Sequence, residues 1–258
     1  MRLAGAIDVV VRPHRGLDLG AASFEGQAFA WLTPLGEDAP TVPGDWWASW
    51  GGGLMTTAGL DNVGEPADGL PLHGTYNYLP AQSVELDENR VSGTMADARG
   101  VVLHRQIVND LDRGRLRLTD LTTNTGAEPQ PAPLLYHCNL LWGPVEIDSA
   151  AVEPRDAGSA AEDWRILGAG PERVYEHLGA RRARVRIGGL TVEIRSSLPR
   201  LWQWVSPERG VLGIEPANCS IRGRTFDASV GRLPVLQSGE VRETSLEITV
   251  VRGSADGL

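Results

Sequence analysis

The 258-residue chain contains no lysine, so all 24 of its basic side chains are arginines. Schiff-base chemistry on a lysine amine is thereby excluded, and so is a phosphate-binding loop, which needs a Gly-Lys pair. Cysteine is nearly absent. Cys138 and Cys219 are too few for a disulfide framework and lack zinc-ligand spacing. They read as free thiols of a reducing cytosol. No apolar run approaches the ~20 residues of a membrane span. The opening MRLAGAIDVVVRPHRG has a short apolar run broken by charge, without the layout of a signal peptide. A soluble, cytoplasmic protein with no membrane partner is expected. Basic charge is also outweighed, since 33 acidic residues give a formal net charge of -9. With no basic stripe interleaved with aromatics, no nucleic-acid partner is expected, because phosphates would be repelled.

What is present points to β structure. Hydrophobic residues make up 41% of the chain, enough for a core. Strand-like segments recur at 7–11, 27–32, 100–108, 115–124, 133–142, 182–188, 190–197, 201–205, 211–215 and 245–251. RLRLTDL, RARVRI and LTVEI alternate apolar and polar residues with period two. The best helical candidate, 160–178, is interrupted by Gly and Pro, and the stretch 148–172 reads as a polar connection. Glycine and proline are scattered along the chain, with no pooled linker. One all-β domain spanning 1–258, a sandwich or barrel, is expected.

Three stretches carry polar groups where chemistry could sit. WGGGLMTTAGLDNVGEPADGLPLHG (50–74) is a glycine-rich connection ending on His73, where backbone could approach a ligand; an ordinary surface loop is the alternative. In LLYHCNLLW (134–142), His137 and Asn139 share one strand face with Leu135 and Leu141. They suggest a polar pocket, a satisfied core histidine being the alternative. VLGIEPANCS (211–220) ends an apolar strand on Glu215, which shares a face with Gly213. An unpartnered buried carboxylate is costly, so Glu215 is expected at a rim or in a site that uses it. Just upstream, LWQWV (201–205) offers Trp202 and Trp204 on one face and Gln203 on the other. Eight Trp against three Phe lean toward aromatic ligand contacts, with core packing as the alternative. A carboxylate base with a histidine acid is what proton movement on a sugar needs. His73, His104, His137 and Glu215 are also metal-ligand types, as in a cupin-like isomerase, but no His-x-His pair supports that reading.

The motifs RGLDLG (15–20), WGGGLMTTAGLDNVG (50–64), LHG (72–74), LYHCN (135–139) and GIEPANCSIRGR (213–224), in that order, resemble the aldose 1-epimerase (galactose mutarotase) superfamily. The closer likeness is to its divergent branch catalogued as domain of unknown function 4432. The resemblance implies a galactose mutarotase-like β-supersandwich and a concave sugar site with no cofactor and no metal. It implies that His137 is the general acid, Glu215 the base, and His73 a sugar-holding histidine. Mutarotases carry an Asn-Arg pair before the first histidine, whereas this chain reads TTAGLDN. Thr57 and Asn62 are the expected substitutes, and Gln203 or Trp204 stands nearest the place of the family's substrate-binding aspartate. Asn139, Arg15, Arg105 and Arg224 complete the expected substrate contacts. A small-molecule sugar is the expected partner, with a homodimer left open. The expected activity is anomer interconversion; a non-catalytic carbohydrate-binding protein on the same fold is the alternative.

Overall fold

A computed structural model describes residues 1–42, 45–155 and 163–253. Two large antiparallel sheets dominate. The eight-stranded sheet runs in the order Val145–Ile147, Arg182–Ile187, Leu190–Ser196, Val241–Arg252, Arg115–Asn124, Val101–Asn109, Arg90–Ala96 and Gln82–Leu86. Its strands alternate between buried and solvated positions, as in Arg182–Ile187, whose Ala183, Val185 and Ile187 point inward. The period-two pattern legible in the sequence is therefore a sheet with one wet face. The six-stranded sheet runs Ala151–Pro154, Arg173–Leu178, Arg200–Ser206, Val211–Ala217, Leu134–Leu141 and Thr56–Gly59. Its central strands are buried on both faces, which is why LLYHCNLL and VLGIEPA read as near-continuous apolar runs.

One face of the six-stranded sheet packs on the eight-stranded sheet. Tyr136, Cys138, Ile214 and Leu201 join Leu103, Ile107, Leu116, Val185 and Ile248 in a single core. The other face carries a second apolar cluster that includes Trp46, Trp50, Trp202, Trp204, Leu135 and Ile221. The two faces of one strand thus have different tasks. The even-numbered residues of Leu134–Leu141 hold the sheets together, and the odd-numbered ones face the tryptophans.

Arginine also serves the core. Arg105 is fully buried and grips Asp120 through two bonds, Nε to Oδ1 at 2.8 Å and Nη2 to Oδ2 at 2.7 Å. Its Nη1 donates to the Gly16 carbonyl at 3.0 Å and to Thr57 Oγ1 at 2.9 Å, beside Asp18 at 3.2 Å. Tyr136 donates to Asp120 at 2.9 Å. Arg105 and Asp120 belong to the eight-stranded sheet, Thr57 and Tyr136 to the six-stranded one, so this network is the polar rivet between them.

The helical expectation over 160–178 is not met where it can be followed. Residues 160–162 lie outside the described residues, Asp163–Arg165 form one 3-10 turn, and Arg173–Leu178 is a strand. That strand has partners on both sides, Ala151–Pro154 and Arg200–Ser206, and the two ladders override a weak helical pattern. Cys138 and Cys219 are free, buried thiols in different clusters. Burial pushes both thiols up, away from the reactive thiolate. No helix among the described residues is long and apolar enough to cross a membrane.

Candidate active site

Antiparallel register builds the site. Asn139 pairs with Gly213 and Leu135 with Ala217, which places His137 across from Glu215 on the adjacent strand. Glu215 in turn pairs with Trp202, and Trp204 with Gly213. All these side chains emerge on the face away from the sheet-sheet core. His137 Nε2 lies 3.2 Å from Glu215 Oε1, outside hydrogen-bonding alignment, and both side chains are buried. Glycine 213 makes the arrangement fit. A Cβ there would stand 2.7 Å from Glu215 Oε1 and 3.1 Å from the Trp204 Cβ, so any side chain would displace the carboxylate.

His73 arrives from the glycine-rich loop. Its backbone is left-handed, φ 61°, an uncommon conformation for a non-glycine residue. Three contacts hold it there. The His73 N–H donates to the Gly64 carbonyl at 2.9 Å, its own carbonyl accepts from Gly59 N at 3.1 Å, and Nδ1 accepts from Gly64 N at 3.4 Å. The loop needs glycine at 64, because a Cβ would stand 1.8 Å from the Ile221 carbonyl oxygen. The His73 ring meets the His137 ring edge-on with centroids 5.5 Å apart.

Tryptophans enclose the three groups. Asp45 caps the short helix Trp46–Ser49 by accepting from Ala48 N at 3.0 Å. This turn sets Trp46 4.6 Å from the His73 ring and Trp50 5.3 Å from the His137 ring, while Trp204, on the strand Arg200–Ser206, stands 5.5 Å from the His137 ring. The result is a cleft of about 120 Å³ whose lining also includes Glu65, Arg155, Glu172 and Ile221.

The electrostatics bear on His73 and Glu215. Burial, and then the neighbouring His137, push His73 well below its ordinary value, so it stays neutral at physiological pH. With Nδ1 occupied as an acceptor, its free proton is on Nε2, a neutral donor. Burial pushes the Glu215 carboxyl up, against the pull of His137 and Arg155. The His137 Nδ1 is buried with no hydrogen-bond partner among the described residues. A carboxyl raised by burial beside a histidine, with a neutral donor opposite, is an arrangement that can exchange protons with a hydroxylated ligand.

Of the residues expected from the sequence, His73, His137, Glu215 and Trp204 line this cleft together. The other seven lie off its lining, and each has a structural engagement within the protein. Thr57 and Arg105 are in the rivet between the sheets. Asn139 donates to the carbonyls of Gly53 and His137 at 2.9 and 3.0 Å. Asn62 donates to the carbonyls of Glu65 and Pro71 and accepts from Arg224 N, tying the His73 loop. Arg224 bonds the Asp61 carbonyl and pairs with Asp68. Arg15 donates to the carbonyls of Ala39, Pro40 and Ser49, holding the segment that bears Trp46 and Trp50. His104 is exposed on the eight-stranded sheet. No group of three His, Cys, Asp or Glu set to hold a metal occurs among the described residues. Trp46, Trp50, Arg155 and Glu172 were not singled out, although the tryptophan-rich DWWASW (45–50) carried the compositional signal.

Gln203 points to the sheet-sheet core, where its Oε1 meets His177 Nε2 at 2.8 Å and its amide donates to the Trp164 carbonyl at 2.8 Å. Ser149 Oγ lies 2.8 Å from His177 Nδ1. Burial lowers His177 to about 4. As pH falls from near 6.5 to about 4, the unfolded chain binds a proton that the native state refuses, so stability falls. The loss is on the order of 3 kcal/mol, from about 1.4 kcal/mol per unit. His177→Gln is expected to flatten the dependence of the unfolding midpoint on pH in that window by one proton. An unchanged slope would show that His177 does not stay neutral in the native state.

Residues 1–170 match the model of the family described as Domain of unknown function (DUF4432), and the chain belongs to that family. Its fold is that of the galactose mutarotase-like proteins. A structure described as a "putative aldose 1-epimerase" from Klebsiella pneumoniae superposes with a TM-score of 0.79 at 22% identity, covering 96% of this chain and 78% of that one. The Slr1438 protein of Synechocystis superposes with a TM-score of 0.76 at 17% identity, covering 96% and 93%. A galactose mutarotase related enzyme from Lactobacillus acidophilus gives 0.70 at 12% identity, covering 99% and 98%. At these identities the likeness establishes the fold. No curated protein matches the chain.

Proposed function

We propose that the protein is a cofactor-independent aldose 1-epimerase, interconverting the α and β anomers of a free sugar. The observation that carries this reading is His137 Nε2 at 3.2 Å from Glu215 Oε1 in a tryptophan-walled cleft. The reaction needs two proton movements at oxygens that share one carbon. Glu215 takes the proton from the C1 hydroxyl while protonated His137 gives one to the ring oxygen. The C1–O5 bond breaks, leaving a carbonyl at C1 and a hydroxyl at C5. Rotation about C1–C2 presents the other carbonyl face. The C5 hydroxyl then adds to it, returning one proton to His137 while Glu215 returns the other to O1. Neutral His73 donates a hydrogen bond to the ring oxygen region, and the indole faces pack on the sugar's C–H edges. Adjacent acid and base suit this chemistry, because the oxygens they serve are neighbours.

The test is saturation transfer between α and β anomeric protons across a panel of aldoses, with and without protein. Accelerated exchange for at least one sugar is the expected result. Line broadening without accelerated exchange would identify a carbohydrate-binding protein on the same fold, and no effect on any sugar would remove both readings.

A further inference from the structure

A second hollow, of about 200 Å³, adjoins the cleft and shares Arg155 with it. Register sets its place. Glu215 pairs with Trp202, and Trp202 pairs with Glu176 on the next strand. Trp202 and Glu176 both line the second hollow, so with strands about 4.8 Å apart it lies roughly 5–10 Å from the Glu215 carboxylate. That is the span from the anomeric carbon of a pyranose to a substituent at the far end of its ring.

The two hollows differ in charge. The cleft is lined by Glu65 and Glu215, by Glu172, which pairs with Arg209, and by Arg155. The second hollow is lined by Arg155, Arg222 and Arg232, with Glu153 and Glu176. Glu176 is neutralised by its ion pair with Arg200. Arg222 and Arg232 have no carboxylate partner among the described residues, whereas most arginines of this chain do. They gather instead at one ring, their guanidinium carbons 5.1 and 5.9 Å from the centre of Phe226. An aromatic face offsets part of the repulsion between two such cations. Arg222 Nη2 also makes one long bond to the Arg155 carbonyl, at 3.4 Å. The ring supplies no acceptor, so other N–H donors of the pair remain available. Paired guanidinium groups present donors in a geometry that matches an oxyanion.

We infer that Arg222 and Arg232 form an anion subsite beside the catalytic cleft, and that the sugar carries a phosphate, sulfonate or carboxylate away from its anomeric carbon. This rests on the mutarotase reading for its choice of substrate, though not for the subsite. The acidic cleft receives the neutral, reacting end of the sugar and repels the anion toward the arginines.

Two measurements on three proteins test this: wild type, Arg222→Ala/Arg232→Ala, and Arg184→Ala/Arg186→Ala as a control on the solvated face of the eight-stranded sheet. Both subsite arginines are exposed, so the double variant keeps its fold. Inorganic phosphate is titrated by calorimetry, and exchange is compared for glucose, glucose 6-phosphate and glucuronic acid. The Arg222/Arg232 variant is expected to lose phosphate affinity at least tenfold, with the control unchanged. The rate ratio of the preferred anionic sugar to glucose is expected to fall by a similar factor. Equal phosphate affinity in all three proteins, or no phosphate binding by the wild type, overturns the subsite even if glucose exchange is accelerated. A rate ratio unchanged by the double substitution overturns the substrate assignment. Phosphate binding that depends on the two arginines, with no sugar accelerated, leaves the subsite standing and removes the mutarotase reading.

Discussion

Glu215→Gln is expected to lower anomeric exchange by about 10²–10⁴-fold, the usual contribution of a positioned acid or base, while the protein stays folded. Glutamine keeps the shape of the side chain, so the clearance above Gly213 and the contact with His137 survive. What is lost is an oxygen able to take a proton. Stability should hold or rise. Burial pushes the Glu215 carboxyl up, which means the native state disfavours its ionised form more than the unfolded chain does. With a folded value above the unfolded one, stability falls as pH rises through that interval, and a neutral amide removes this term at pH 7. The same raised value shifts the acid limb of the rate profile upward, because the base must be ionised to act, and the limb should vanish in the variant. Saturation-transfer rates and thermal midpoints, measured on one preparation, decide it. Near-native exchange in the variant would end the assignment of Glu215 as base. A lower midpoint accompanying the loss of rate would mean that the carboxylate is structural.

The strands were legible because their alternation reflects one wet face and one dry one. The strand extents around Leu134–Leu141 and Val211–Ala217 followed from their apolar content. Within a strand, parity was also legible: His137 and Glu215 do point away from the core that holds Tyr136 and Ile214. Which parity of one strand meets which parity of another depends on register, and register is a property of pairs. The sequence leaves Gln203 and Trp204 as alternative contacts, yet adjacent strand residues face opposite ways, and of the two Trp204 lines the cleft. Thr57 fell to the same ambiguity. Arg105 was different, since its strand buries Val101, Leu103, Arg105 and Ile107 in alternation, and the sequence itself sets the arginine among apolar neighbours. The arginines that do flank the cleft, Arg222 and Arg232, lie in a turn-rich segment where no period indicates direction. The Trp46 turn was hidden for a similar reason: four helical residues make no periodic signal, and only the density of tryptophan marked it.

Arg105→Met is expected to be the most damaging single substitution for stability, and to act without touching the cleft. The guanidinium is fully buried and faces two carboxylates, Asp120 and Asp18, which are buried with it. Burial works against each of these charges. It pushes the Asp18 carboxyl up, with Arg105 pulling it back, while Asp120 and Asp18 more than offset the burial of the arginine and keep it protonated. A well-packed apolar replacement of the whole set could be close to neutral, but removing one partner leaves uncompensated buried charge, at a cost of about 3–5 kcal/mol. For a chain of this size, with about 2–4 °C of midpoint per kcal/mol, the unfolding midpoint should drop by roughly 10 °C. Arg105→Met/Asp120→Asn is expected to regain part of the loss, because the second change removes one orphaned carboxylate. Thermal unfolding of the wild type and the two variants at pH 7 measures both effects. If Arg105 instead contacted the sugar, Arg105→Met would hold its midpoint and lose exchange. A drop in midpoint with exchange retained per folded molecule at low temperature places the residue between the sheets, where its partners from both sheets converge on a single guanidinium.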